Sequence, residues 1–451
     1  MKKMTAFLVV LALLGGLAAC GHREEPLEGD PKELASSFMA ELAAEDFEEA
    51  HGYFDARLKA ALPQEDLEEV WLDLTSQVGP FTEEMEVRLA EEDPHPIVMV
   101  TIMMGDTFLD ARMVFNQDNR IAGLFFQPSE YLARFYEPPE YADEDAFYEL
   151  EVTVGKAPWA LEGTLTVPEG KGPFPFVVLV HGSGPHDRDE TVGANKPFKD
   201  IAWGLSSSGI GVLRYEKRTK EHGAALYQEM GDSLTPHEET VEDAAFAVKL
   251  LLERDEADPD GIFVLGHSLG AMLGPRIVQE AEEAAGLILM AGSPRPLEDI
   301  VIDQMEYLME LQESITPEDE TEMEKLKEQA ALIRSSDVTE DMAAEDLLLG
   351  LPASYWLYLN EYDIKTEARQ VNLPLLILHG GRDYQVTEAD FEAWQEALGE
   401  KDQVTWITYP DENHLLIAGS GTPGPKEYTE PGNVSLKVIE DIAAWIKELA
   451  S

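Results

Sequence analysis

The sequence predicts an α/β fold with a mostly parallel sheet and a helical cap, preceded by a small α+β domain. Three observations carry that expectation. From residue 176 onward, short apolar runs alternate with helical patterns, as parallel strands joined by right-handed crossovers require. Before residue 137 the order is instead three helical patterns and then four strand-like stretches. Between residues 294 and 370 the chain stays helical and acidic for too long to be one crossover.

The chain opens Met1-Lys2-Lys3, then runs apolar from Phe7 to Leu14 and reaches Gly15-Gly16. That is the pattern of a secretory signal peptide, too short for a stable membrane span. The segment ends in Leu17-Ala18-Ala19-Cys20, which resembles the bacterial lipobox, and Cys20 is the only cysteine. The resemblance implies cleavage after residue 19, lipidation of Cys20 and an extracytoplasmic protein held to the bacterial membrane by that anchor. With one cysteine no disulfide forms within the chain, so stability must come from packing.

Residues 21–30, polar and carrying Pro26 and Gly29, read as a tether. Residues 31–136 form the small α+β domain. Its helical patterns cover 31–44, 47–62 and 64–78, with Leu34, Phe38, Leu42 and Phe47, Ala50, Phe54, Leu58 at amphipathic spacing. Its strands are expected at 85–89, 97–104, 108–115 and 121–126, with Asp118-Asn119 turning the last pair. The element order resembles small cone-shaped domains of the nuclear-transport-factor type, here expected to serve as a spacer or docking domain. Residues 137–147, beginning Glu137-Pro138-Pro139-Glu140, are a linker.

Residues 148–451 form the larger domain. A leading hairpin is expected at 148–154 and 161–167, and further strands at 176–180, 211–215, 262–265, 286–290, 375–378 and 404–409. The 294–370 insertion is expected to cap the site. Its apolar residues Met305, Leu308, Met309, Leu347, Leu348, Leu349, Tyr355 and Trp356 would divide between lining a pocket and packing the cap.

The strand at 262–265 runs into Gly266-His267-Ser268-Leu269-Gly270, and residues 271–285 read as mostly helical. A glycine on each side lets the chain turn from strand to helix sharply enough to leave Ser268 strained and exposed. A serine hydroxyl becomes a nucleophile only beside a base. Downstream, Asp383 follows the strand at 375–378, and His414 lies on the loop after the strand at 404–409. Ser268, Asp383 and His414 therefore stand in the order nucleophile, acid, base. Oxyanion donors are expected at the Leu269 N–H and in the His181-Gly182-Ser183-Gly184 loop, at Ser183 first and Gly182 second. Asp363, Asp390 and Asp411 are poorer acids: one precedes the strand, one sits in a helix's first turn, and one is too near His414 in sequence. His181, His267 and His379 read as loop, elbow and strand-end residues.

These motifs resemble the α/β-hydrolase superfamily, in particular bacterial serine esterases and prolyl-oligopeptidase-type peptidases. The matching residues are His181-Gly182-Ser183-Gly184-Pro185-His186-Asp187-Arg188-Asp189-Glu190, Tyr215-Glu216-Lys217-Arg218, the Ser268 elbow, Gly380-Gly381-Arg382-Asp383-Tyr384-Gln385-Val386 and Asn413-His414. The family usually has aspartate where this chain has Glu216. The resemblance implies hydrolysis of a small-molecule carboxylic ester through an acyl-enzyme on Ser268, without metal or organic cofactor. A peptidase, an acyltransferase and a non-catalytic surface binding protein are the alternatives. A haloalkane dehalogenase is disfavoured, because that chemistry uses an aspartate nucleophile and the elbow carries Ser268. Arg188 with Asp187 or Asp189 is expected to brace the oxyanion loop, and Arg214 and Arg218 to form ion pairs.

A net charge of −56 argues against nucleic acid or anionic lipid as a partner. The acidic residues are spread over nearly every element, as on a surface solvated in a salt-rich exterior, and point to a halophilic or halotolerant source. Salt screens the self-repulsion of such a charge. Activity and thermal stability should therefore rise with added salt; an optimum of both near zero salt would refute this reading.

Overall fold

The computed structural model describes residues 25–450 apart from 92–94, 313 and 336, so the signal segment and Cys20 lie outside the described residues. The chain divides after Arg134 into two compact units.

In the first unit, helices Pro31–Ala43, Phe47–Gly52, Ala56–Ala61 and Gln64–Val78 precede an antiparallel sheet of β1 (Phe81–Glu91), β2 (Ile97–Met104), β3 (Thr107–Phe115) and β4 (Ile121–Pro128), paired in chain order. Asp30 caps the first helix through its side chain, and Pro31 supplies the fixed φ its first position favours. The single helix expected over 47–62 is broken in two. Asp55 accepts from the Arg57 and Leu58 N–H groups as a new N-cap, and the Phe54 main chain bridges to Ile121. Helix periodicity continues across the break because Phe54 and Leu58 still face the same core, with Phe38, Trp71, Val100 and Phe115.

The second unit is built on an eight-stranded sheet: β5 (Phe147–Val154), β6 (Leu161–Pro168), β7 (Phe174–Val180), β8 (Gly211–Tyr215), β9 (Ala257–His267), β10 (Gly286–Met290), β11 (Leu375–Gly380) and β12 (Val404–Tyr409). The spatial order is β12-β11-β10-β9-β7-β8-β6-β5, and every pairing is parallel except the two that β6 makes. Strand side chains alternate between faces. Val178, Val264, Leu289 and Ile377 therefore enter one core layer, and Val177, Phe263, Ile288 and Leu376 the other. Burying each such side chain contributes about 1.5–3 kcal/mol relative to leaving it exposed. Helices cover both faces, so the central strands are apolar throughout rather than alternating. Tyr141, in the expected linker, donates to the Val434 carbonyl at 2.7 Å and ties that segment to this unit.

The insertion after β10 folds as helices Leu297–Glu310, Pro317–Arg334, Ala353–Asn360 and Ile364–Gln370. It has a core of its own, in which Val301, Ile302, Ala330, Ile333, Leu347, Leu348 and Trp356 are buried.

Candidate active site

The sequence-selected residues gather at one edge of the sheet, because parallel strands all end there. β9 stops at His267 and the helix Leu269–Glu280 starts two residues later, so Ser268 alone makes the turn, at φ 52° and ψ −113°. A Cβ at Gly266 would stand 2.2 Å from the Gly270 carbonyl oxygen, and one at Gly270 would stand 2.4 Å from that of Val180. Both glycines are thus required by close backbone approach. The Ser268 N–H donates to the Met290 carbonyl at 3.0 Å, anchoring the turn to β10. The serine itself is part-exposed.

Asp383 follows β11, and its Oδ1 accepts from the Gln385 and Val386 N–H groups at 2.8 and 2.9 Å. That leaves Oδ2 for His414 Nδ1, 2.7 Å away, with both side chains buried. Asn413 shapes the His414 loop by accepting from the Leu415 and Ile417 N–H groups through Oδ1. Ser268 is drawn to this pair through its neighbour: His267 Nε2 donates to the His414 carbonyl at 3.0 Å, and the two rings lie 4.7 Å apart. Among the described residues, no hydrogen bond joins the Ser268 hydroxyl to the His414 ring. Such bonds often tighten only with substrate in place. The rival acids are engaged elsewhere: Asp363 caps a helix, and Asp390 accepts from Ser293 at 2.5 Å and Arg295 at 2.6 Å. Burial drives His181 down to about 3, so it is neutral as its Nε2 meets the Asp187 carbonyl at 3.0 Å.

The oxyanion loop needs one correction. The Gly182 N–H donates to Glu190 Oε1 at 2.6 Å in a buried bond, so it is committed and cannot serve as an oxyanion donor. The Ser183 and Leu269 N–H groups remain. Gly182 is nonetheless at the centre of the site, since a Cβ there would lie 3.1 Å from the Ser268 Cβ. Glu190 Oε2 also stands 2.9 Å from His267 Nδ1, without the alignment of a hydrogen bond. Burial would raise the Glu190 carboxyl, but the His267 imidazolium outweighs it and holds it at about 2. Burial pushes His267 the other way, and the Glu190 charge more than compensates, raising it. A buried ion pair therefore joins the loop 181–190, the elbow and, through the His267 ring, the loop that carries His414.

The expected brace from Arg188 to Asp187 or Asp189 is also corrected. Arg188 instead pairs with Glu216 and Glu151, both at 2.8 Å, and with Glu162 at 3.3 Å. Asp187 closes its own turn through the Thr191 N–H and hydroxyl, while Asp189 takes Arg214 and Lys196. Glu216 thus fills the position usual for aspartate as an acceptor for Arg188. Arg218 is buried against Asp243 and Glu242, and Arg214 against Asp189 and Glu149.

A cleft of about 430 Å³ opens beside Asp383 and Tyr384, bounded by Asp303, Glu306, Tyr307 and Glu310 of the cap. Leu347, Leu348 and Trp356, candidates for an apolar lining, are buried in the cap's own core instead. The cap thus turns carboxylates and a tyrosine toward this cleft. Among the described residues no group of three or more His, Cys, Asp or Glu could hold a metal ion.

Residues 173–419, more than half the chain, match the Hydrolase_4 family model, described as serine aminopeptidase S33. The chain is also 39% identical over 412 residues to esterase EstD of Thermotoga maritima, covering 91% of this chain and 93% of that protein. The chain belongs to this α/β-hydrolase family. It is an enzyme. Residues 35–124 match DUF3887, a family of unknown function. Among solved structures, this hydrolase is similar to Est1E from Butyrivibrio proteoclasticus, with 16% identity, a TM-score of 0.43 and coverage of 66% of this chain and 98% of that one. It is likewise similar to an esterase from Pyrococcus furiosus, with 15% identity, a TM-score of 0.42 and coverage of 70% and 98%.

Sequence reasoning passed over Glu190, quoted only as the end of a motif, and gave His267 no role beyond filling the elbow. The signal was an acidic residue closing a loop in a chain whose elbow carries histidine. The pair's contribution to stability has a defined pH window. Lowering the Glu190 pKa stabilises the fold above the unfolded carboxylate value near 4.3, and raising the His267 pKa stabilises it below the unfolded imidazole value near 6.5. Glu190→Gln should therefore lower stability most between about pH 4.3 and 6.5, with the deficit shrinking as pH rises further. Chemical denaturation of both proteins across pH checks this; a deficit that does not change with pH would contradict it.

Proposed function

We propose that this hydrolase cleaves carboxylic esters of small molecules through an acyl-enzyme on Ser268. His414 takes the serine proton as Oγ attacks the ester carbonyl, then delivers it to the departing alcohol. Asp383 holds the ring with Nδ1 protonated and stabilises the imidazolium. The Leu269 and Ser183 N–H groups receive the negative charge that develops on the carbonyl oxygen. Water then attacks the acyl-enzyme by the reverse sequence, releasing the acid and restoring the serine.

The observation that carries this reading is the 2.7 Å contact between His414 Nδ1 and Asp383 Oδ2 beside a strained, part-exposed serine. It fixes the tautomer that leaves Nε2 free to act as base. The identity to esterase EstD supports esters as the substrate class. The family's description as an aminopeptidase favours a second reading, cleavage of an N-terminal amide by the same serine.

Ser268→Ala should lower hydrolysis of p-nitrophenyl esters from acetate to palmitate by at least about 10⁴-fold while leaving the protein folded. An active variant would remove Ser268 as nucleophile. Wild-type turnover of aminoacyl p-nitroanilides but not of any ester would favour the aminopeptidase.

We further propose that lipidated Cys20 anchors the mature protein to the outside of the cytoplasmic membrane or a comparable surface. Two or more acyl chains suffice for stable anchoring. Expressed in a bacterium with lipoprotein processing, the wild type should partition with membranes and take up labelled palmitate. Cys20→Ser should do neither, and equal labelling of both would refute the anchor.

A further inference from the structure

Lys217 belongs to the Tyr215-Glu216-Lys217-Arg218 stretch and has no part in the chemistry above. It is nonetheless buried, with a side chain only 2% exposed, and its ammonium has two partners in the interior. Nζ donates to the Gly182 carbonyl at 2.7 Å and stands 2.8 Å from Glu239 Oε1. The other oxygen of Glu239 accepts from the Tyr355 hydroxyl at 2.7 Å, and Tyr355 lies on the cap helix Ala353–Asn360. Glu239 itself sits in a π-helical turn, His237–Val241, a distortion frequent at functional sites.

The carbonyl that Lys217 engages belongs to the same peptide unit as the Ser183 N–H. That unit is planar and trans, so its C=O and N–H point in opposite directions. A donor holding the carbonyl from the interior therefore aims the N–H outward, toward the reacting centre, and polarises it. The clamp answers a specific need. Position 182 favours glycine, because a Cβ there would stand only 3.1 Å from the Ser268 Cβ, yet glycine is the residue whose flanking peptides rotate most freely. Glu190 holds the peptide before it through the Gly182 N–H, and Lys217 holds the one after it.

We propose that Lys217 is a positioning residue for the oxyanion donor at Ser183, and that the cap reaches this donor through Tyr355 and Glu239. The inference rests on the serine-hydrolase reading. It assigns the hydrolase a contact from its cap to the strength of its oxyanion hole, without the cap touching the ester.

The test compares Lys217→Met, Tyr355→Phe and their combination with wild type. The readouts are kcat and KM on p-nitrophenyl butyrate and the affinity of an alkyl trifluoromethyl ketone, whose adduct with serine carries the oxyanion. Lys217→Met should lower kcat by about 10²–10³-fold, the loss typical of one oxyanion donor, with KM within about 3-fold of wild type. The ketone should weaken by the same factor as kcat. Tyr355→Phe, which removes one hydroxyl, should lower kcat by about 3- to 10-fold and add nothing in the Lys217→Met background. A folded Lys217→Met whose ketone affinity matches wild type would overturn the proposal. If Lys217→Met does not fold, Tyr355→Phe decides alone: equal losses in kcat and ketone affinity support the role, and unchanged ketone affinity overturns it. Ser268→Ala separates the two levels. Activity surviving in that variant defeats the serine reading itself, whereas its loss beside an unaffected Lys217→Met defeats this inference only.

Discussion

A strand must become a helix around a single residue, and the rest of the site follows from the space that this leaves. Gly270 lies so close to the Val180 and His181 carbonyls that the elbow and the oxyanion loop are one packed unit. Ser268 then projects where the loop's peptides pass it. The region behind the serine is left buried and polar at once, filled by His267, Glu190 and the Gly182 peptide. A buried polar group without a partner is costly. Each of these groups meets another, and the chain of contacts closes on the His414 carbonyl.

This arrangement changes how the acidic composition reads. Lys217, Arg214 and Arg218 all have side chains 2% exposed, in a chain with 33 lysines and arginines against 89 acids. These cations are held inside, each against one or two carboxylates. Removing one partner of such a pair leaves an uncompensated charge in the interior, which is more damaging than the pair itself is stabilising.

Much of this was legible in the sequence, for local reasons. β8, β10 and β12 have the expected bounds because apolar runs between turn residues leave little choice. Gly266 and Gly270 announced the elbow, and chain order alone brought Asp383 and His414 to it. The rest depended on contacts between distant segments. β9 begins at Ala257, five residues before its apolar run, because Ala257 pairs with Phe174 across the sheet. The helix break at Tyr53 to Asp55 is imposed by Ile121, far along the chain. Glu190 looked like one more acid in an acidic protein; only the fold turns it back eight residues to Gly182 and across to His267. Lys217 was hidden in the same way, since no periodicity signals a side chain that reaches a carbonyl 35 residues earlier.

The cap's separate core has a consequence of another kind. Leu297 and Leu359 pack against both the cap's cluster and that of the sheet, while Trp356, Leu348 and Ile333 stay within the insertion. The insertion also buries Ile300, Tyr362, Ile364 and Ala368 in the sheet's cluster. Over evolutionary time the residues confined to the insertion's own core are the ones open to rewriting, retuning which molecules are admitted, while those shared with the sheet, and Tyr355 against Glu239, are bound to the fate of the serine.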